Sequence, residues 1–209
     1  YAEGQTLLYL RGAPVASRER GRPLTGVTVL LDPGHGGTDV GALGIGGGAG
    51  IAEKTINLTL ALAVRDRLEQ LGATVQMTRS TDETLTLQQR WEAAQQLRPD
   101  FFLSLHHNST ALVKNTTGAQ GVEAYYFEPG SEKLAASLLS SVSGATGRAE
   151  DDPSWNYFYV TRMTCAPAVL FEFGYLVNPE EFESCIDSEA IRATADGVAE
   201  GLLRCLADS

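Results

Sequence analysis

The stretch Leu31-Asp32-Pro33-Gly34-His35-Gly36-Gly37 follows the apolar run Val27-Thr28-Val29-Leu30 and constrains the chain more than any other segment. A β-branched run stopped by a proline and three glycines reads as a buried strand entering a tight loop, because such glycines permit positive φ or close backbone approach. His35 is therefore held and exposed at once. The chain has three histidines, and the other two, His106 and His107, come just after a second apolar run, Phe101-Phe102-Leu103-Ser104-Leu105. If both runs are strands of one parallel sheet, their carboxyl ends open on the same edge, where open α/β sheets place ligands.

Neighbouring residues on a strand point to opposite sides, so at most one of His106 and His107 can face His35. The sequence offers a third ligand in Glu53, which follows the glycine-rich stretch 41–50 and opens a long helical segment. Two histidines, one carboxylate and a water make a catalytic zinc site. Taken singly, each residue also has a plainer reading. His35 can cap its turn by hydrogen bonding, and a carboxylate such as Glu53 is favourable in the first turn of any helix.

The rest of the chain supports the parallel arrangement. From Glu53 to Leu71 the residues Ile56, Leu60, Val64, Leu68 and Leu71 recur at helical spacing, and Gly72 stands as a C-terminal cap. Ala73 to Thr78 alternates as a short strand and Arg79 to Glu83 reads as a loop. Thr86 and Gln89 have capping-box spacing for a helix that stops before Pro99, and Asp100 to Leu105 is the next strand. Strand, helix, strand, helix, strand is the pattern of parallel crossover units. Farther on, Gly121 to Phe127 reads as a strand, Ser131 to Val142 as a helix, Gly144 to Asn156 as a loop, and Tyr157 to Val160 as a short strand. Ala168 to Gly174 is a buried strand and Ser188 to Leu206 a final helix. Residues 1–25 hold one short apolar run, Thr6 to Leu10, and are expected to be a linker or an added edge strand, with the catalytic domain in 26–209.

Glu172 lies inside the apolar strand Ala168-Val169-Leu170-Phe171-Glu172-Phe173-Gly174. A buried unpaired carboxylate costs several kcal/mol or takes up a proton, so it needs a partner or a task. One reading is a general acid and base with a raised pKa. The other is a salt bridge with an arginine such as Arg162. No phosphate-binding glycine motif, H-E-x-x-H helix or G-x-S-x-G elbow is present, which excludes the common nucleotide, zinc protease and serine hydrolase layouts.

A length of 209 residues suits one domain, given about 100 to 200 residues per domain. A formal charge of −10 argues against nucleic acid as a partner. No apolar run approaches the roughly 20 residues that span a bilayer. The chain begins at Tyr1 rather than Met, consistent with an upstream segment that has been removed. Cys165, Cys185 and Cys205 match no zinc spacing, and Cys185 with Cys205 is the favoured pair if a disulfide forms.

Four segments, Val29-Leu30-Leu31-Asp32-Pro33-Gly34-His35-Gly36-Gly37, Glu53-Lys54, Ser104-Leu105-His106-His107-Asn108 and Pro167-Ala168-Val169-Leu170-Phe171-Glu172-Phe173-Gly174-Tyr175-Leu176-Val177-Asn178, together resemble the zinc-dependent N-acetylmuramoyl-L-alanine amidases. Thr78-Arg79 and Leu87-x-x-Arg90 fit the same pattern, and the likeness runs from about Val27 to Leu206. The family's E-x-G-F segment reads Glu172-Phe173-Gly174-Tyr175 here, a mild departure. The resemblance implies an α/β fold, a single domain whose mixed, mostly parallel sheet of about six strands is flanked by helices. It implies Zn2+ bound by His35, Glu53 and His106, and Glu172 as the catalytic carboxylate. The implied substrate is peptidoglycan, cut at the amide between N-acetylmuramic acid and the L-alanine of the stem peptide, outside the cell in the wall or periplasm. The alternatives are a zinc peptidase that cuts within the stem peptide, or a catalytically silent wall-binding module. Residues 109–120 are too few for the blocking helix that some members carry, so no activator is expected, and the chain is expected to act as a monomer.

Overall fold

The computed structural model describes residues 12–45, 50–110 and 116–207. Its strands are β1 (Thr28–Pro33), β2 (Thr74–Met77), β3 (Phe101–Asn108), β4 (Glu123–Tyr126), β5 (Ser154–Trp155) and β6 (Ala168–Tyr175). Its helices are α1 (Glu53–Gln70), α2 (Leu87–Leu97), α3 (Glu132–Thr146), α4 (Pro179–Ile186) and α5 (Ser188–Ala207). The strands form one sheet in the order β2-β1-β3-β6-β4-β5, parallel throughout except where β4 runs antiparallel to β6. This is the mixed, mostly parallel sheet of about six strands that the family resemblance implies. The parallel pairing of β1, β3 and β6 brings Pro33, Asn108 and Tyr175 to one edge.

The alternation of side chains divides the sheet into two unlike faces. Val29, Leu31, Leu103, Leu105, Val169, Phe171 and Phe173 turn to one face, where Leu60 and Val64 of α1, Leu134 and Leu138 of α3, and Val198 and Leu202 of α5 seal them from water. Full burial of each such aliphatic or aromatic side chain contributes about 1.5 to 3 kcal/mol, so this layer holds most of the stability. The other face carries Leu30, Phe102, Ala168 and Leu170 and is covered by Ala94 of α2, Val160 and Met163, with Trp91, Ala93 and Cys165 packed half-buried around them. Toward the carboxyl edge this thinner cover gives way to a cleft of about 450 Å³.

Local signals explain several boundaries. In the capping box at α2, the Gln89 backbone N–H donates to Thr86 Oγ1 at 3.1 Å while the Thr86 N–H donates to Gln89 Oε1 at 2.8 Å. Gly72, at φ +97°, follows the last turn of α1.

The strand expected over Tyr157 to Val160 and the loop expected over Gly144 to Asn156 need correction. Tyr157 to Val160 is not a strand: the Thr161 N–H donates to Phe158 O at 3.2 Å and the Arg162 N–H to Tyr159 O at 3.4 Å, closing a 3-10 turn over Tyr159–Thr161. The sheet-edge pairing belongs instead to Ser154–Trp155, inside the expected loop, and α3 runs on to Thr146. A further helix, α4, follows Asn178, whose side-chain oxygen accepts from the Glu180 N–H at 3.1 Å with Pro179 in the first turn. No disulfide forms among the described cysteines, because Cys185 packs with Ile56 and Leu176 while Cys205 lies in the main core. The run Thr6 to Leu10 and residues 111–115 lie outside the described residues.

Candidate metal and active site

The loop after β1 is held by buried charge. Asp32, fully buried, accepts from Thr78 Oγ1 at 2.6 Å, Ser104 Oγ at 2.8 Å and Arg90 Nη1 at 2.6 Å. Arg90 also donates to the carbonyls of Pro33 at 2.9 Å and His35 at 2.7 Å. Arg79 donates to the carbonyls of Pro33 at 3.0 Å, Gly34 at 2.8 Å and Lys54 at 2.9 Å. Two guanidiniums thus satisfy three consecutive loop carbonyls, and Arg79 ties the loop to the start of α1. They hold His35 at φ +59°, a left-handed conformation that a residue with a Cβ adopts only where its surroundings fix it.

His35, Glu53 and His106 converge at this point, each offering a ligand atom within 4.8 Å of the others. His35 Nε2 lies 3.1 Å from Glu53 Oε2 and His106 Nδ1 lies 3.0 Å from Glu53 Oε1. The two imidazoles meet edge to face with ring centres 4.9 Å apart. Asp39 Oδ2, 2.9 Å from His35 Nδ1, orients the first ring. Asn57 Nδ2 and the Ala42 N–H donate to Glu53 at 3.1 and 2.9 Å. Two imidazoles that line a cleft and a carboxylate between them, with His35 oriented by Asp39 and Glu53 by Asn57 and the Ala42 N–H, form a donor set suited to catalytic zinc.

The ionisation of these groups follows from their contacts. Burial acts to lower the His35 pKa, but the hydrogen bond and charge of Glu53, with those of Asp39, outweigh it and raise the value to about 9. Burial acts to raise Glu53, yet its hydrogen bonds to His106 and His35 hold it far below the usual carboxylate range. Cation uptake at these atoms is therefore coupled to loss of a proton from His35.

Close approach is possible only because Gly34 and Gly41 lack side chains. A Cβ on Gly34 would lie 2.2 Å from His106 Cε1 and 2.3 Å from its Nε2, and one on Gly41 would lie 2.6 Å from both Glu53 Oε2 and His35 Cδ2. Gly34→Ala is expected to turn the His106 ring away and weaken zinc affinity by about 10- to 100-fold, the usual effect of losing a supporting contact. Competition with a chromogenic chelator measures it.

His107 points away from this cluster. It is buried, its Nδ1 lies 2.7 Å from Asn57 Oδ1, and burial drives its pKa down to about 3. Glu172 sits opposite His106 in the β3–β6 register and lines the same cleft as His35 and His106. Its Oε2 has no hydrogen-bond partner. Burial, reinforced by the charges of Glu53 and Glu123 against the opposing pull of His106, raises its pKa to about 7. The alternative pairing with Arg162 does not occur, since that guanidinium lies over the rings of Tyr157 and Tyr159. Asp39 and Asn57 had no individual signal in the sequence, and Arg79 and Arg90 stood out only through the family resemblance, which did not give their clamping roles.

Residues 29–204 match the family model described as N-acetylmuramoyl-L-alanine amidase. The probable cell wall amidase LytH of Staphylococcus epidermidis is 34% identical over 181 residues, covering 86% of this chain and 58% of LytH. The sporulation-specific N-acetylmuramoyl-L-alanine amidase of Bacillus subtilis is 34% identical over 181 residues, covering 84% of this chain and 67% of that protein. The catalytic domain of CwlV, an amidase from Bacillus (Paenibacillus) polymyxa var. colistinus, superposes with a TM-score of 0.77 at 36% identity, covering 84% of this chain and 96% of that domain. With the family model matching residues 29–204 and a relative 34% identical of which this chain covers 67%, the chain belongs to the N-acetylmuramoyl-L-alanine amidase family.

Proposed function

We propose that this amidase uses Zn2+ held by His35, Glu53 and His106 to hydrolyse the amide between N-acetylmuramic acid and the L-alanine of the peptidoglycan stem peptide, with Glu172 as general base and acid. The observation that carries the reading is the partnerless Glu172 Oε2 on the cleft that His35 and His106 also line. A bound Zn2+ supplies Lewis acidity toward the amide carbonyl and toward water. Glu172 takes the proton of the attacking water while the water oxygen bonds to the lactyl carbonyl carbon. It then delivers that proton to the alanine nitrogen as the C–N bond breaks, leaving a carboxylate on the sugar side and a free amine on the peptide. Asp39 and Asn57 keep His35 and Glu53 in their ligating orientations throughout.

The cell wall amidases among the relatives support the wall or periplasm as the place of work, and the short segment 109–120 supports activity without an activator. Among the described residues no helix is long and apolar enough to cross a membrane. Chelation is expected to abolish release of stem peptides from purified peptidoglycan, and stoichiometric Zn2+ to restore it with the isolated chain alone. Turnover that survives chelation would contradict metal dependence. Negligible turnover at full zinc loading would contradict the absence of an activator.

A further inference from the structure

Among the described residues, every exposed aromatic side chain lies in the run Trp155–Tyr159. Trp155 and Tyr157 are 60% and 61% exposed, unusual for large rings on a chain of net charge −10. The rings touch in succession, tilted or edge to face. Phe127 lies between Trp155, at 5.5 Å, and Tyr157, at 5.2 Å. The Arg162 guanidinium bridges Tyr157 and Tyr159 at 4.3 and 4.8 Å from their ring centres. Tyr159 in turn lines the cleft that holds His106 and Glu172. The Trp155 indole N–H donates to Phe127 O at 3.1 Å, which fixes the ring and leaves its remaining surface apolar. Backbone pairing of β5 to β4 and of β4 to β6 ties this ledge rigidly to the strand of Glu172.

We propose that this ledge binds the glycan strand, with pyranose rings beyond the one that bears the scissile bond lying against Trp155 and Tyr157. The inference rests on the amidase reading above, which requires a muramic acid ring in the cleft. The C–H faces of a neutral pyranose suit exposed π-faces, and the hydroxyls around its rim remain in water. Trp155 stands two strands, roughly 10 Å, across the sheet from Glu172 and, paired with Tyr126 three residues on from the Glu123 that faces Glu172, roughly 10 Å along it, so it reaches sugars other than the one being cut. The substrate class is therefore the polymeric strand with its stem peptides, in preference to a muramyl peptide of a single sugar.

The test uses the zinc-loaded chain in two measurements. The chain has two tryptophans, Trp91 and Trp155, so its indole N–H spectrum is simple to assign through Trp155→Ala. Titration with tetra-N-acetylchitotetraose is expected to shift the Trp155 signal and leave that of Trp91 in place. In kinetics, Trp155→Ala is expected to lower the ratio of kcat/KM on glycan strands to kcat/KM on N-acetylmuramoyl-tripeptide about tenfold, through KM, with Trp155→Phe restoring most of it. An unmoved Trp155 signal with an unchanged ratio would overturn the proposal. So would an unchanged ratio accompanied by altered sedimentation, which would make the ledge a contact between copies. If the wild-type chain cleaved neither substrate, the amidase reading would fail, and the tetrasaccharide titration would still decide the ledge.

Discussion

Glu172→Gln is expected to lower kcat by about 10²- to 10⁴-fold while zinc binding persists, because the substitution removes proton transfer and leaves the ligands untouched. The amide of glutamine fills the same volume between the β6 backbone and His106, so the fold has no reason to change. Oε2 is the atom at issue: buried and without a hydrogen-bond partner, on a side chain that lines the cleft. The sign of the pH effect follows from the same burial. A carboxylate raised to about 7 must lose its proton to act as a base, so kcat/KM falls as pH drops through that value. A divalent cation opposite the carboxylate favours the charged form and moves this limb to lower pH. In Glu172→Gln the limb disappears. Single-turnover rates across pH, with metal content measured on the same samples, check both points. A variant that kept its rate would remove Glu172 from the mechanism.

Asp32→Ala is expected to destabilise the chain by roughly 3 to 5 kcal/mol, the range for stranding one partner of a buried ion pair. Asp32 is the only carboxylate among the described residues bonded to the buried Arg90, and it also accepts from Thr78 and Ser104. Its loss leaves a guanidinium sealed under the loop with carbonyl partners alone. The same guanidinium positions the His35 carbonyl, so disorder there carries directly to a proposed zinc ligand. Urea unfolding of the two proteins gives the stability change, and zinc content at equal protein concentration gives the consequence for the site. Unchanged unfolding would mean that the clamp adds nothing to the net stability.

The legible parts of this fold were those in which one local rule acted alone. The period of Ile56, Leu60, Val64 and Leu68 fixed α1, and the Thr86 and Gln89 pair fixed the start of α2. Parallel crossover logic then sufficed to bring His35 and His106 to one edge. Tyr157 to Val160 misled because aromatic and β-branched residues favour strands, whereas here their rings stack with Phe127, Tyr125 and Arg162 around a tight turn. The helix after Asn178 did carry a signal, an Asn followed by Pro and two glutamates, which suits an N-cap and first turn. The roles of Arg79 and Arg90 could not be read from spacing. Arginine is ordinarily a surface residue, and only the folded loop reveals a row of carbonyls in need of donors.

The central claim is that these residues assemble a metal-dependent amidase for one bond of peptidoglycan. Mass analysis of the fragments released from purified peptidoglycan by the zinc-loaded chain tests it most directly. The account predicts free stem peptides with an L-alanine amino terminus, glycan strands bearing lactyl carboxylates, and neither product from Glu172→Gln. Fragments cut within the stem peptide would place the chemistry on a different bond, and no fragments from a fully zinc-loaded chain would contradict the account.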